Sequence, residues 1–461
     1  LQHFELYGGI ELRAPNAFFD PSFYSVANAD VANAVSARVF KHVFHHYQVF
    51  GQYEDRIPAS QFEGFDSELY LENNPDVARA LDDGIFNSAL QHFINFGQFE
   101  NRPGTNIDGR IFSLTEVIDH FTGTLGDDLF VAREGRLEAG DVLHGLGGHD
   151  VFTIFSSTDP INLPSSENIS GIEVVSVTAS KHHSLDFSAI SGLSMISLIG
   201  GSTLDGEETK LSLGNVQLLH LDTLVDGDTQ NASSSDGGVK IEQNENITAL
   251  NIVLNDVGGR VPDKNKSLML DIAGVSINAL NLESTGIAFI GLENSGEKLD
   301  SLNIKGSGTL GILGALPNSI SNIDASGSSV NLNLTVGSGE NNIVGSGGTN
   351  TITLTSGVST VTSYNEDDFI SVLGGDAVIR TNAGRDYIAV IGGNNIGIET
   401  GIGNDTVEIF AGVNFLDTGA DEDTITLKEG RNTVFSKTGH DKLTIQGGDN
   451  TVFTDSGNDR L

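Results

Sequence analysis

The chain has 461 residues, with 62 acidic against 24 basic side chains, a formal net charge of −38, no cysteine, no tryptophan and 56 glycines. An acidic chain without a basic block repels phosphate backbones, which argues against nucleic acid as a partner. The lack of cysteine removes disulfides, thiolate metal sites and thiol nucleophiles. No apolar run reaches about 18 residues, so no transmembrane segment is expected, and 38% apolar residues suffice for two to four domains or a repeat array. The chain opens without Met on the tail of a repeat, so a natural N-terminus and any targeting peptide are expected to be missing.

The first repeats occupy residues 1–104. Three tails, LQHFELYGGIELRAP, HHYQVFGQYEDRIP and LQHFINFGQFENRPG, superimpose His3, His46 and His92, then Gly8, Gly51 and Gly97, then Arg13, Arg56 and Arg102. Two heads, FDPSFYSVANADVANAV and FDSELYLENNPDVARAL, precede the second and third tails. Capping Asn or Asp before Ala-rich stretches, and aromatics at helical spacing before a Gly, predict helical modules of about 45 residues. His42, His45 and His46 share helical faces and invite a metal reading. The recurrence of His3, His46 and His92 at one repeat position favours packing or hydrogen bonding against Phe and Tyr instead. The arginines could meet the phosphates of lipopolysaccharide, but Glu11, Glu54 and Glu100 two residues earlier are the simpler partners.

A junction over 105–160 leads into 161–335, where short β-branched strands bounded by Gly, Asn, Asp and Ser take over. One unit recurs as IEVVSV, LSMISL, VQLLHL, ITALNI, INALNL, LDSLNI and ISNIDA. Its fourth positions are Val175, Ile196, Leu219, Leu250, Leu280, Leu302 and Ile323, with steps of 21, 23, 31, 30, 22 and 21. Near-constant spacing predicts an irregular β-solenoid with loops inserted in the two long coils.

Residues 336–461 are the most regular. One glycine per half-coil recurs every nine residues with a single step of ten, Glu366 and Asp421 replacing two of the glycines. Two residues beyond these positions stand Asp368, Asp386, Asp405, Asp423, Asp441 and Asp459 on one set and mostly Asn341, Asn350, Asn395, Asn414, Asn432 and Asn450 on the other. The coil is therefore about 18 residues, with one corner of Asp and another of Asn. Carboxylates stacked at about 4.8 Å repel one another and imply a cation. Oxygen ligands without Cys or a placed His favour Ca²⁺ over zinc, copper or Mg²⁺. Asx capping of the turns accounts for the Asn corner without an ion. At the Asp corner neutral Asn would cap equally well yet is absent, which favours the ion.

TGIGNDTVE at Thr400, GTLGDDLFV at Gly123 and GLGGHDVFT at Gly145 resemble the RTX nonapeptide GGxGxDxUx, which binds calcium in a parallel β-roll. Its Asp position falls on Asp128, Asp150, Asp386, Asp405, Asp423, Asp441 and Asp459, and its apolar position on Phe130, Phe152, Ile388, Val407, Ile425, Leu443 and Leu461. Lys437 and Asp455 depart from the pattern at the leading Gly. With Asp368 from the same corner, these aspartates are the expected metal ligands, Asp128 and Asp150 as a separate small site.

Together the modules, the solenoid and the roll resemble RTX-type bacterial surface-layer proteins. That resemblance implies a mainly β chain, a right-handed parallel β-solenoid and β-roll after a small all-α repeat region. It further implies type I secretion from a Gram-negative cell and calcium-driven self-assembly into a surface lattice. A chain unfolded at low cytosolic calcium and folded outside fits these expectations. An RTX adhesin is the second reading, with TNTITLTSGVSTVT as a short Thr-rich candidate surface. An RTX-linked polysaccharide-modifying enzyme comes third: neither HExxH nor GxSxG occurs, and no acid/base cluster recurs near one coil.

Overall fold

The computed structural model of the protein describes residues 15, 18–54, 56–59, 62, 65, 67–82, 84–97, 110–123, 126–156, 161–165, 167–203, 209–224, 238–243, 246–258, 267–394 and 396–461. The first tail through residue 14, Arg102 with Glu100, and Asn395 lie outside them. The fold is mainly β and 12% helical, with a parallel β-solenoid of about 15 turns. Two compact units can be separated: the described residues up to Leu114 with Asp119–Val131 and Val142–Phe152, and Thr115–Ile118 with Ala132–Asp141 and Thr153–Leu461. Among the described residues no helix is long and apolar enough to cross a membrane.

In the first unit, helices α1 (Pro21–Ala27), α2 (Ala29–Ser36) and α3 (Val43–His46) are repeated as α4 (Ser67–Asn73), α5 (Pro75–Asp82) and α6 (Ala89–Asn95). Asp20 starts α1 by accepting the Ser22 and Phe23 N–H groups, and Pro21 loses nothing at the first turn, where its missing N–H would have no partner. Asn28 and Asn74 end α1 and α4 in the same way, each donating its amide to the carbonyl four residues back, on Tyr24 and Tyr70. Phe19, Tyr24, Val31 and Val43 form one small core, and Phe62, Tyr70, Val77, Leu90 and Phe93 belong to the next.

The histidines are built into these modules. Tyr24 Oη lies 3.1 Å from His46 Nδ1, and Tyr70 Oη 2.8 Å from His92 Nδ1, all four residues being buried. His42 caps α3 by accepting the His45 N–H at 3.1 Å, and Ser88 does the same for α6 with Gln91. These bonds account for His42 and His46 as structural groups. Arg56 is bound to Glu54, Asp30 and Asn28 at 2.6, 2.9 and 2.9 Å, so its guanidinium is committed within the module.

Gly51 and Gly97 sit where a Cβ would run into the Tyr24 and Tyr70 hydroxyls, which explains why a tail glycine accompanies each tyrosine–histidine pair. After Gly97→Ala, the Tyr70 ring should be pushed off His92 at a cost of about 1–3 kcal/mol. Urea unfolding followed by tyrosine fluorescence, undisturbed in a chain with no tryptophan, measures it.

Coils begin inside the stretch expected to be a junction: Ile111–Ser113 pairs in parallel with Leu129–Ala132, and His120–Thr122 with Val142–His144. In the second unit two parallel sheets face each other. One runs from Val174–Ala179 to Asp449–Ser456, and the other has 13 strands from Leu185–Asp186 to Lys442–Ile445. Alternation along each strand sends Val, Ile and Leu inward, and Ile196, Leu280, Ile352, Ile379, Val407 and Leu416 are all completely buried. Each such side chain contributes about 1.5–3 kcal/mol.

The structure pairs Val175 with Ile196, Ile196 with Leu219, Leu250 with Leu280, Leu280 with Leu302 and Leu302 with Ile323, as the recurring unit predicts. The step from Leu219 to Leu250 is corrected: Leu219 pairs with Ile252. A slip of two residues keeps the same face inward, so the apolar pattern could not distinguish the two registers.

Candidate functional site

The Asp corner is made where each coil turns into a strand of the 13-stranded sheet, as at Gly403–Asn404–Asp405 before Thr406–Ile409. Gly403 has φ 132°, and a Cβ there would overlap the Gly384 carbonyl of the previous coil. Asp421 stands at the same turn position with φ 84°, a strained geometry for a side-chain-bearing residue.

These turns aim the carboxylates into the stack. Oδ1 of Asp386 accepts the Asp368 N–H at 2.9 Å, Asp405 accepts from Asp386 at 2.9 Å, and Asp423 from Asp405 at 2.9 Å. Asp441 continues the series from Asp423 at 3.0 Å, and Asp459 from Asp441 at 3.1 Å. Asp368, Asp386, Asp405, Asp423 and Asp441 are at most 1% exposed. The column thus joins all six C-terminal candidates. Asp128 and Asp150 make a second, separate link of the same kind in the first unit: Asp150 accepts the Asp128 N–H at 2.7 Å, and Asp128 accepts from Arg110 at 2.6 Å.

One expectation is overturned at the head of the column. Asn350 stands on the Asp corner, with its backbone and side-chain N–H groups donating to Asp368 Oδ1 at 2.7 and 2.9 Å. Asn is therefore tolerated there, and its absence cannot serve as an argument for an ion. The remaining Asn corner behaves as expected of turn caps. Asn414 donates to Asn432, and Asn432 to Asn450, at 2.7 and 2.6 Å, and each of the three also donates to the carbonyl three residues back. Asn341 reaches Ser359 at 3.4 Å.

Two further columns were missed in the sequence. Five residues before each buried Asp stands a buried hydroxyl: Ser363, Thr381, Thr400, Thr418 or Ser436. Thr381 donates to the Thr400 carbonyl, Thr400 to Thr418 and Thr418 to Ser436. In alternate coils the residue just before the Asp reaches the other way along the stack. Asp127 accepts the His149 N–H, Asp367 that of Arg385, Asn404 that of Glu422 and His440 that of Asn458. Recurrence of an acceptor at that position was the available signal.

The electrostatics are severe. Oδ2 of Asp368, Asp386, Asp405, Asp423 and Asp441 is buried with no hydrogen-bond partner. The nearby Thr381, Thr400 and Thr418 hydroxyls act to lower the carboxyl pKa, but each has its one hydrogen committed to a carbonyl. Burial pushes Asp386 and Asp423 up to about 7, with neighbouring ladder carboxylates adding to the rise, and it raises Asp368 and Asp405 as well. Among the described residues no three His, Asp or Glu side chains gather where they could hold a metal. Any ion at this corner must draw most of its oxygens from turn carbonyls, a donor set that suits a hard cation.

No protein family model matches the chain, and no curated protein matches it in sequence.

In metal-free protein the unfolded chain, with its carboxyls near 3.8, sheds protons before the folded one as pH climbs. The contribution of Asp386 and Asp423 is thus intact below about pH 4 and lost as pH rises toward about 7. Melting temperatures across that window should fall with pH, and D386N/D423N should flatten the slope.

Proposed function

We propose that the protein is a secreted, non-catalytic structural protein that takes up calcium along its aspartate corner and self-assembles into a lattice on a Gram-negative cell surface. The observation carrying this reading is the column of buried carboxylates whose second oxygens have no hydrogen-bond partner. Such a column must be neutralised by protons or by cations, since an unpaired buried charge is costly. Near neutral pH, outside the cell, millimolar calcium is the available cation for weak oxygen sites.

The residues fit that role. The second oxygens of successive Asp368, Asp386, Asp405, Asp423, Asp441 and Asp459 would bind the ions together with turn carbonyls, and Asp128 with Asp150 would hold another. Calcium supplies positive charge where the coils stack, which links metal uptake to folding. The RTX-like spacing and the −38 net charge support the same switch. An extended solenoid whose coils repeat along one axis suits a lattice component better than a soluble catalyst.

Chelator-treated protein, verified metal-free by elemental analysis, should gain β structure and melting temperature on calcium titration. Light scattering should rise, and electron microscopy should show ordered sheets that dissolve with chelator. Asp405→Asn and Asp423→Asn should each raise the calcium needed severalfold. Identical β content and melting temperature with and without calcium would reject the metal, and calcium-folded particles that stay monomeric would reject the lattice.

A further inference from the structure

Outside the aspartate corner, the middle of the solenoid carries a half-open groove of about 550 Å³ on the outer face of the longer sheet. It crosses the strands Leu218–Asp222, Ala249–Asn255, Ala279–Ser284, Ser301–Gly306 and Asn322–Asp324. Strand registry puts Leu218, Asn251, Asn281, Asn303 and Asp324 in one column along its floor. Four strand spacings of about 4.8 Å make that column about 19 Å long. The three-residue strand Asn322–Asp324 is the shortest of the five, and the chain leaves it through Ser326 and Gly327 at the groove's end.

The floor is an amide ladder of a different kind from the one at the Asn corner. Asn281 donates to Asn251 at 2.8 Å and Asn303 to Asn281 at 2.7 Å, while Asn251 donates to the Gln217 carbonyl. At the corner Asn414 and Asn432 are almost wholly buried and each amide nitrogen serves two acceptors. Here all three side chains are half-buried, and each amide nitrogen makes one bond, leaving its second hydrogen uncommitted. The Asn303 oxygen ends the ladder as an acceptor. Asn is a poor strand residue, so packing gives no reason for three in a row at mid-strand on an outer face.

Beside this column lie half-buried Val253 and then Glu283 and Lys305, which are strand partners whose charges offset. Fixed donors and acceptors, a little apolar surface from Leu218 and Val253, and a lining left one charge negative by Asp324 suit a polyhydroxylated ligand that carries no negative charge. We propose that this groove binds a neutral glycan laid along the solenoid axis, with its hydroxyls on the Asn251–Asn281–Asn303 ladder. The site makes no use of the calcium reading.

The test is retention of the full chain on immobilised dextran, mannan and galactan, with dextran sulfate as competitor, at low and at millimolar calcium. At least one neutral polymer should retain the protein, and Asn303→Ala should weaken retention at least tenfold. Gly327→Trp tests the groove without altering a ladder residue, since a Cβ there meets no atom within 4 Å and its φ is ordinary. It should block binding with circular dichroism unchanged, and it decides the matter alone if Asn303→Ala fails to fold. No retention on any neutral polymer, unchanged retention in Gly327→Trp, or equal displacement by dextran sulfate would overturn the proposal. Retention that survives when calcium has no effect on folding would leave the groove standing and remove only the metal.

Discussion

A carboxylate bonded to the backbone of the preceding coil is the interaction on which the C-terminal stack rests. The Asp corner of every coil from Asp386 to Asp459 closes by lending an oxygen to a neighbour's N–H. That bond satisfies a buried donor and holds the coil spacing, and it forces a negative group into the interior. The second oxygen then becomes the chemical problem the molecule has to solve, and the raised pKa values of Asp386 and Asp423 express the same problem as proton affinity.

The rest of the solenoid is conventional by comparison. Inward Val, Ile and Leu supply most of the stabilisation through burial, and neighbouring coils satisfy one another's backbone, so stability is a property of the stack. The helical modules solve a different problem. With few residues available for a core, each relies on a tyrosine whose hydroxyl reaches a buried histidine and leaves room only for glycine beyond it.

Much of this was legible from residues alone. The period of 18, the inward apolar positions and the aspartates of the column all follow from spacing, because a solenoid repeats its chemistry coil by coil. What escaped did so for definite reasons. The pairing of Leu219 with Ile252 leaves the face pattern unchanged, so a two-residue slip was invisible. Asn350 was assigned by residue type to the other corner, although its place in the nine-residue count belongs with the aspartates. The hydroxyls at Thr381, Thr400 and Thr418 carry no signal of their own in the sequence, since strand propensity explains a threonine before its bonding does. The glycan-sized groove needed registry between strands about 20 to 30 residues apart, which no local pattern contains.

The opposed columns at the Asp corner have a consequence for coil length. Aspartate reaches back one coil, whereas Asp367, Asn404 and His440 reach forward, so alternate pairs of neighbouring coils are latched from both sides. A strand sliding by two residues would unfasten both latches together. The middle of the chain, where steps range from 21 to 31 residues, shows no such double fastening among the described residues and accommodates longer coils. In the C-terminal stretch the corner works as a gauge, holding the coils to 18 residues with one of 19.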